Sequence, residues 1–279
     1  MDADAVFKKQ ILSIGCSNVK DLSDSEIAEM VLKFAIWLPA ETHAKTPWLA
    51  PYAIRRQRIR IEPNAPGPKR DLWGLPTDQG YFADDNSLIK SFALKSTVVP
   101  ENNPYENEKI TKGLVCCHIW SGTTGKPLLF SFVPNLVWLP KSLAPFTDAN
   151  FGKASHPAQI ALKHASRIRF GVEHTLPRVE SAWSLLDAPS GTQIHGGQFS
   201  ELSDNGKISE LVRDRVSRFT AFLNALLDPD LSVPQRFSKR YHAGVGDRID
   251  RSVLTVQEWL SAEVMKQLIT EMNDSIVPN

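Results

Sequence analysis

The stretch that most constrains this chain is GLVCCHIWSGTTGKPLLFSFVPNLVWLP, residues 113–140. Two apolar segments flank a glycine-containing break, a pattern typical of two strands joined by a turn. His118 ends the first segment, and Asn135 opens the last apolar run of the second. Pro134 argues against a continuous central strand, so we expect a bend there. A tight hairpin between the two segments would bring Asn135 back beside His118.

Helical patterns lie on both sides of this stretch. SDSEIAEMVLKFAIWL opens with Ser23 and Glu26 at the spacing of a capping box, and TVQEWLSAEVMKQLITEM begins with Thr255 and Glu258 at the same spacing. The sequence therefore predicts an α+β fold with short strands in the middle and helices at both ends. Further helices are predicted over 157–170 and 207–227, and a long loop over 175–206.

Four regions follow from these patterns. Residues 1–44 form an N-terminal helical region, and 45–109 a basic, loop-rich region with short strands. Residues 110–170 hold the two central strands, and 171–279 a loop and the C-terminal helices.

Composition restricts the class of protein. The formal net charge of the 279 residues is +1, so any nucleic-acid site must come from local clustering of charge. Three cysteines do not make a disulfide framework, which indicates a reducing compartment. No secretory signal and no apolar run of roughly 18 residues occur, so we expect a cytoplasmic protein with no membrane partner.

The central stretch carries groups suited to phosphodiester hydrolysis. A histidine has an unperturbed pKa of about 6.5 and can act as general base at neutral pH. We expect Asn135 to orient the His118 imidazole by accepting its second N–H. A divalent ion would stabilise the developing charge, and the segment PKSLAPFTD would supply or position a ligand for it.

The order of strand, CHIW, glycine-containing loop, NLVWLP and short helix is similar to the ββα-metal finger of HNH-type endonucleases, over residues 113–148. The resemblance implies that His118 is the general base and Asn135 the middle asparagine of the motif. Cys117 stands where the family has a histidine or aspartate that binds the metal.

The resemblance also implies a second metal ligand, and here the sequence departs from the family. The usual position falls near Ala144, which cannot bind a metal, so Asp148 is the nearest replacement and His156 a more distant one. Magnesium or manganese is the implied ion, with zinc as the alternative because a thiolate favours a softer metal.

A basic stretch precedes the central strands and predicts contacts with the phosphates of double-stranded DNA. Two smaller basic clusters interleaved with aromatic residues are SRIRF, 166–170, and RFSKRYH, 236–242. A palindromic target would imply a homodimer. The predicted DNA-binding residues of the main stretch are Arg55, Arg56, Arg58, Arg60, Lys69 and Arg70.

These features lead to one main expectation and two alternatives. The main one is a metal-dependent DNA endonuclease, and analogy with the fold alone suggests a restriction or phage-defence role. The first alternative is a non-catalytic DNA-binding or regulatory protein with the same fold, which the missing ligand at Ala144 supports. For the single residues, the alternatives are a buried core histidine at His118, a turn residue at Asn135 and a helix cap or turn role for Asp148. The second is a protein-interaction domain with no nucleic-acid role.

Overall fold

The computed structural model of the chain shows a mixed α+β architecture, as the sequence predicts. Among the described residues, no helix combines the length and apolar character needed to cross a bilayer. The structure describes residues 1–55, 76–77, 79–84, 89, 98–99, 103–105, 109–148, 155–171, 176–190, 199–203, 206–231 and 260–277.

Three helices lie in the N-terminal region: α1 (Ala3–Ser13), α2 (Asp24–Phe34) and α3 (Ala40–Lys45). The capping box predicted for α2 is confirmed. The Ser23 N–H donates to the Glu26 carboxylate at 2.7 Å, and the Glu26 N–H donates to the Ser23 hydroxyl at 3.4 Å. These bonds satisfy two of the free N–H groups at the start of the helix.

The main sheet has five strands, in the order β4 (Val98–Val99), β7 (Ser200–Leu202), β1 (Ile36–Trp37), β6 (Leu136–Pro140) and β5 (Leu114–His118). The β7–β1 pair is parallel, and the β4–β7, β1–β6 and β6–β5 pairs are antiparallel. Each of the four sequence regions contributes at least one strand to this sheet.

The β5–β6 pair confirms the prediction that the central stretch folds back on itself. Its register runs from Leu114 opposite Pro140 to His118 opposite Leu136. Every residue of β6 is buried, because the strand lies between β1 and β5 and helices cover it. Its uninterrupted run of apolar residues is typical of a strand covered on both faces.

The chain between the two strands is helical where a strand was expected. Residues 127–130 form α4 (Pro127–Phe130), and Val133–Asn135 forms a 3-10 turn. Pro127 and Pro134 lie in the first positions of these turns, where the missing N–H of proline costs no hydrogen bond. The apolar residues 128–135 therefore belong to two consecutive helical turns, a compact double turn, and only Leu136–Pro140 is extended.

The remaining helices are α5 (Ser155–Phe170), α6 (Pro177–Ser184), α7 (Lys207–Leu227) and α8 (Ala262–Asn273). The helices predicted over 157–170 and 207–227 are confirmed. The long loop predicted over 175–206 is wrong in part, because it contains α6 and β7. The start predicted for the last helix, at Thr255 and Glu258, lies outside the described residues.

A second, two-stranded parallel sheet joins β2 (Ala53–Ile54) to β3 (Phe82–Ala83). It lies next to α4, and beyond it Phe219 of α7 stacks on Tyr52 and meets Phe82 edge-on. Such aromatic pairs bury large apolar areas and fix the angle of the contact. Arg55 follows β2 directly, and its N–H donates to the Thr124 carbonyl at 2.9 Å, which places it close to the loop that follows His118.

Candidate functional site around His118

His118 is the last residue of β5, and its imidazole lies against α4. Its Nε2 atom is 2.8 Å from the Phe130 carbonyl oxygen, and the two rings stack at 5.7 Å between centroids. Because a carbonyl oxygen only accepts, Nε2 must carry the proton, which leaves Nδ1 with its lone pair. The contact therefore fixes the tautomer of the ring.

The charge state of this imidazole is set by its surroundings. Burial lowers the pKa of His118 to about 4, with the Phe130 hydrogen bond acting against this and the positive charge of Arg55 adding to it. Only 9% of the residue is exposed. At neutral pH the ring is therefore neutral, the form in which Nδ1 can accept a proton.

Asn135 lies beside this histidine without bonding to it, so the predicted hydrogen bond between the two side chains is wrong. Its Oδ1 accepts from the Trp120 N–H at 3.0 Å. Its Nδ2 donates to the Thr123 hydroxyl at 2.8 Å and to the Leu129 carbonyl at 2.9 Å. The fully buried carboxamide thus ties the loop after β5 to α4.

Three successive carbonyl groups of α4 receive side-chain donors from separate parts of the chain. The Trp48 indole N–H donates to the Leu128 carbonyl at 2.8 Å. The Asn135 Nδ2 donates to the Leu129 carbonyl, and the His118 Nε2 donates to the Phe130 carbonyl. The carbonyls at the end of a helix lack partners within it, so these donors hold the turn in place. Asn135 therefore fixes the imidazole indirectly, through the backbone of α4.

The predicted metal ligands Cys117 and Asp148 do not fit a divalent cation. Successive strand residues point to opposite faces, so Cys117 points away from the face of His118, and Cys116 shares that face. Burial raises the pKa of the Cys117 thiol to about 12, an effect only partly offset by the Thr147 hydroxyl. Metals bind the thiolate, so a cation at this position would first have to displace the proton of a buried thiol.

Asp148 follows Thr147 in the chain and is therefore near Cys117, but its carboxylate is exposed to solvent. Its N–H donates to the Pro145 carbonyl at 2.9 Å and closes the 3-10 turn Ala144–Thr147. Within the part of the chain that the structure describes, no three His, Cys, Asp or Glu side chains are grouped to hold a metal ion.

The predicted DNA-binding residues are only partly described. Arg55 is exposed at the end of β2, while Arg56, Arg58, Arg60, Lys69 and Arg70 lie outside the described residues, as does the cluster at 236–242. In the cluster at 166–170 both arginines have partners within the fold. Arg167 donates to the Leu186 carbonyl and lies over the Trp183 ring, and Arg169 donates to the Leu38 carbonyl.

Sequence reasoning missed Trp48 and Thr123, which hold α4 and the loop after β5. Thr123 lies in the glycine-containing break and carried only a turn signal, and nothing local marks Trp48 as a partner of that turn. No protein-family model, no curated protein and no solved structure matches this chain, so the site is interpreted from its own residues.

Proposed function

We propose that this chain is a DNA endonuclease of HNH-like type in which His118 is the general base. The observation that carries the proposal is the imidazole held in one tautomer by the Phe130 carbonyl, with the cation of Arg55 near it. A neutral ring with a free Nδ1 lone pair next to a positive charge suits the deprotonation of a water at a phosphodiester.

The role of His118 follows from the atoms that it offers. Nδ1 would take a proton from the attacking water, and the Nε2–H would keep its bond to the Phe130 carbonyl throughout. A pKa of about 4 makes a weak base in the free protein. A bound phosphate would offset the charge of Arg55 and raise the pKa of the imidazole, so that the base gains strength when substrate is present.

DNA binding is proposed to use the basic stretch that begins at Arg55. Each phosphate contact releases a counterion, so affinity should fall steeply with salt. The metal dependence that the resemblance implies finds no fitting ligand pair in Cys117 and Asp148, and the proposed role of His118 involves neither residue.

The second candidate is a non-catalytic nucleic-acid-binding protein. It is favoured by the burial of His118 and by the side-chain hydrogen bonds of Asn135, which go to the loop after β5 and to α4. In that case the double turn is a scaffold, and the neutral imidazole is a core residue with a satisfied N–H.

A plasmid-nicking assay with and without magnesium or manganese, paired with a gel shift, separates the two candidates. His118→Gln keeps an N–H donor for the Phe130 carbonyl but has no titratable nitrogen. We expect it to lose cleavage at least about 100-fold with unchanged DNA binding. His164→Gln, on α5, is the matched control and should cleave normally.

Other outcomes of this assay would overturn the proposal. Salt-dependent binding by the wild-type protein without cleavage would favour the non-catalytic candidate. Equal cleavage by the wild-type protein and His118→Gln would remove His118 from the reaction. Binding that ignores salt would point to a protein-interaction domain.

A further inference from the structure

A second cation, Lys126, lies on the loop after β5, two residues beyond the point where this loop is hydrogen-bonded to Arg55. The Arg55 N–H donates to the Thr124 carbonyl at 2.9 Å, so the end of β2 is attached to this loop. The approach is close, since a Cβ placed on Gly125 would lie 3.9 Å from the Arg55 carbonyl oxygen. Lys126 is the next residue in the chain, and both basic side chains are exposed.

The same lysine is one helical turn from the His118 contact. The Lys126 carbonyl accepts from the Phe130 N–H at 2.9 Å, and the Phe130 carbonyl in turn meets His118 Nε2 at 2.8 Å. One turn of helix rises about 5.4 Å. Lys126 and the imidazole therefore lie at opposite ends of one short turn, with Arg55 alongside it.

The position of Lys126 is fixed by the buried hydrogen bonds of Thr123 and Asn135. The Thr123 hydroxyl donates to the Trp120 carbonyl at 2.6 Å and accepts from Asn135 Nδ2 at 2.8 Å. The Lys126 N–H donates to the Thr123 carbonyl at 3.1 Å. Buried hydrogen bonds therefore fix the conformation of the loop, while the Lys126 side chain is exposed to solvent.

No ion pair between described residues involves Arg55 or Lys126. One exposed cation on this loop and a second at the end of β2, which is hydrogen-bonded to the loop, make a local positive potential suited to an anion within about one helical turn of a neutral imidazole. A phosphate diester carries one negative charge and presents two oxygens, which a guanidinium and an ammonium can each contact.

We propose that Arg55 and Lys126 together form a phosphate-binding site beside His118, which would hold one backbone phosphate of a nucleic acid. The inference rests on the proposed function and extends it, because it adds Lys126 and makes the loop after β5 part of the substrate site. The phosphate would lie between the two cations, at the edge of α4 next to the ring.

The test is binding of a fluorescein-labelled 20-base-pair duplex, followed by fluorescence polarisation over a range of salt concentrations in EDTA. Arg55→Gln and Lys126→Gln should each weaken binding about eightfold at 0.1 M salt and lower the salt slope by about 1, the effect of losing one phosphate contact. Both side chains are exposed, so the variants should keep the fold.

Lys141→Gln is the matched control, because this exposed lysine lies just beyond the other end of the β5–β6 pair, about 17 Å from the His118 end. Its duplex affinity should equal that of the wild-type protein. If Lys126→Gln behaves like Lys141→Gln, the phosphate site is refuted even where the wild-type protein cleaves DNA. If the two site variants lose affinity while the wild-type protein never cleaves, the site stands and the endonuclease proposal fails.

Discussion

At His118 two opposing effects act on one imidazole. Burial and the charge of Arg55 disfavour the protonated ring, while the hydrogen bond to the Phe130 carbonyl favours it, and burial outweighs the hydrogen bond. The net result is a pKa of about 4 against an ordinary value of 6.5. The unfolded chain therefore binds a proton at mildly acidic pH that the folded chain does not.

This difference predicts a stability that falls as pH falls. Above pH 6.5 the ring is neutral in both states, and between 6.5 and about 4 only the unfolded chain is protonated. The free energy of unfolding should therefore drop by about 2 kcal/mol between pH 7 and pH 5 through this one group. Urea unfolding of the wild-type protein and His118→Gln over this range measures it, since carboxylates titrate alike in both. Parallel curves would contradict a lowered pKa.

The sequence predicts that His118 and Asn135 are neighbours but not which atoms meet. Two apolar runs around a turn predict that the two segments pair, and the register that the structure adds places the two residues at the same end of the pair. The hydrogen bond of the imidazole depends on α4, because the Phe130 carbonyl accepts the His118 N–H that the Asn135 carboxamide was expected to accept. The hydrogen bonds of Asn135 go to Trp120, Thr123 and Leu129, which only the folded turn brings within reach.

At the scale of single elements, caps were predictable and short turns were not. The start of α2 follows from Ser23 and Glu26, because a capping box is a local signal. Residues 127–135 have strand-like composition but form two turns, since proline at the start of each and donors from distant residues outweigh local propensity. Tertiary contacts of this kind leave no mark on the local pattern.

Helix α5 is anchored to the sheet by Arg169, which predicts a large loss of stability when this side chain is removed. The side chain is 6% exposed, donates to the Leu38 carbonyl and pairs with Glu201 of β7 at 2.5 Å. Arg169→Ala would leave these acceptors unpaired, and we expect it to cost about 3 kcal/mol in the free energy of unfolding.

Arg218 supplies the control for this measurement, because it pairs with Asp214 on the exposed face of α7. Its side chain is 46% exposed, so Arg218→Ala should change stability by no more than about 0.5 kcal/mol. Equal effects of the two substitutions in urea unfolding would refute the anchoring role of Arg169.

At the scale of the whole molecule, the sheet combines strands that are far apart in the sequence. Strand β1 lies between β6 and β7, and β4 closes the far edge next to β7. Strands β1 and β4 have two residues each, too few for a hydrophobic period to reveal them. The sequence therefore predicts the α+β class and the central pair of strands, but not the order of the sheet.

This arrangement predicts that residues 110–170 do not fold alone. Without the N-terminal region, the buried strand β6 loses its neighbour β1, and α5 loses its packing against α2. The isolated segment should give the circular dichroism of an unfolded chain and poorly dispersed amide resonances, whereas the full chain should give a folded spectrum. A well-dispersed spectrum from the segment would show an independent module instead.

The most direct test of the account is the 15N spectrum of histidine-labelled protein, with the His118 signal identified by its absence in His118→Gln. We expect one neutral tautomer with its proton on Nε2 from pH 8 down to pH 5, and titration only near pH 4. A His118 ring that titrates near pH 6.5, or that carries its proton on Nδ1, would contradict the oriented, neutral imidazole beside Arg55 and the general base proposed from it.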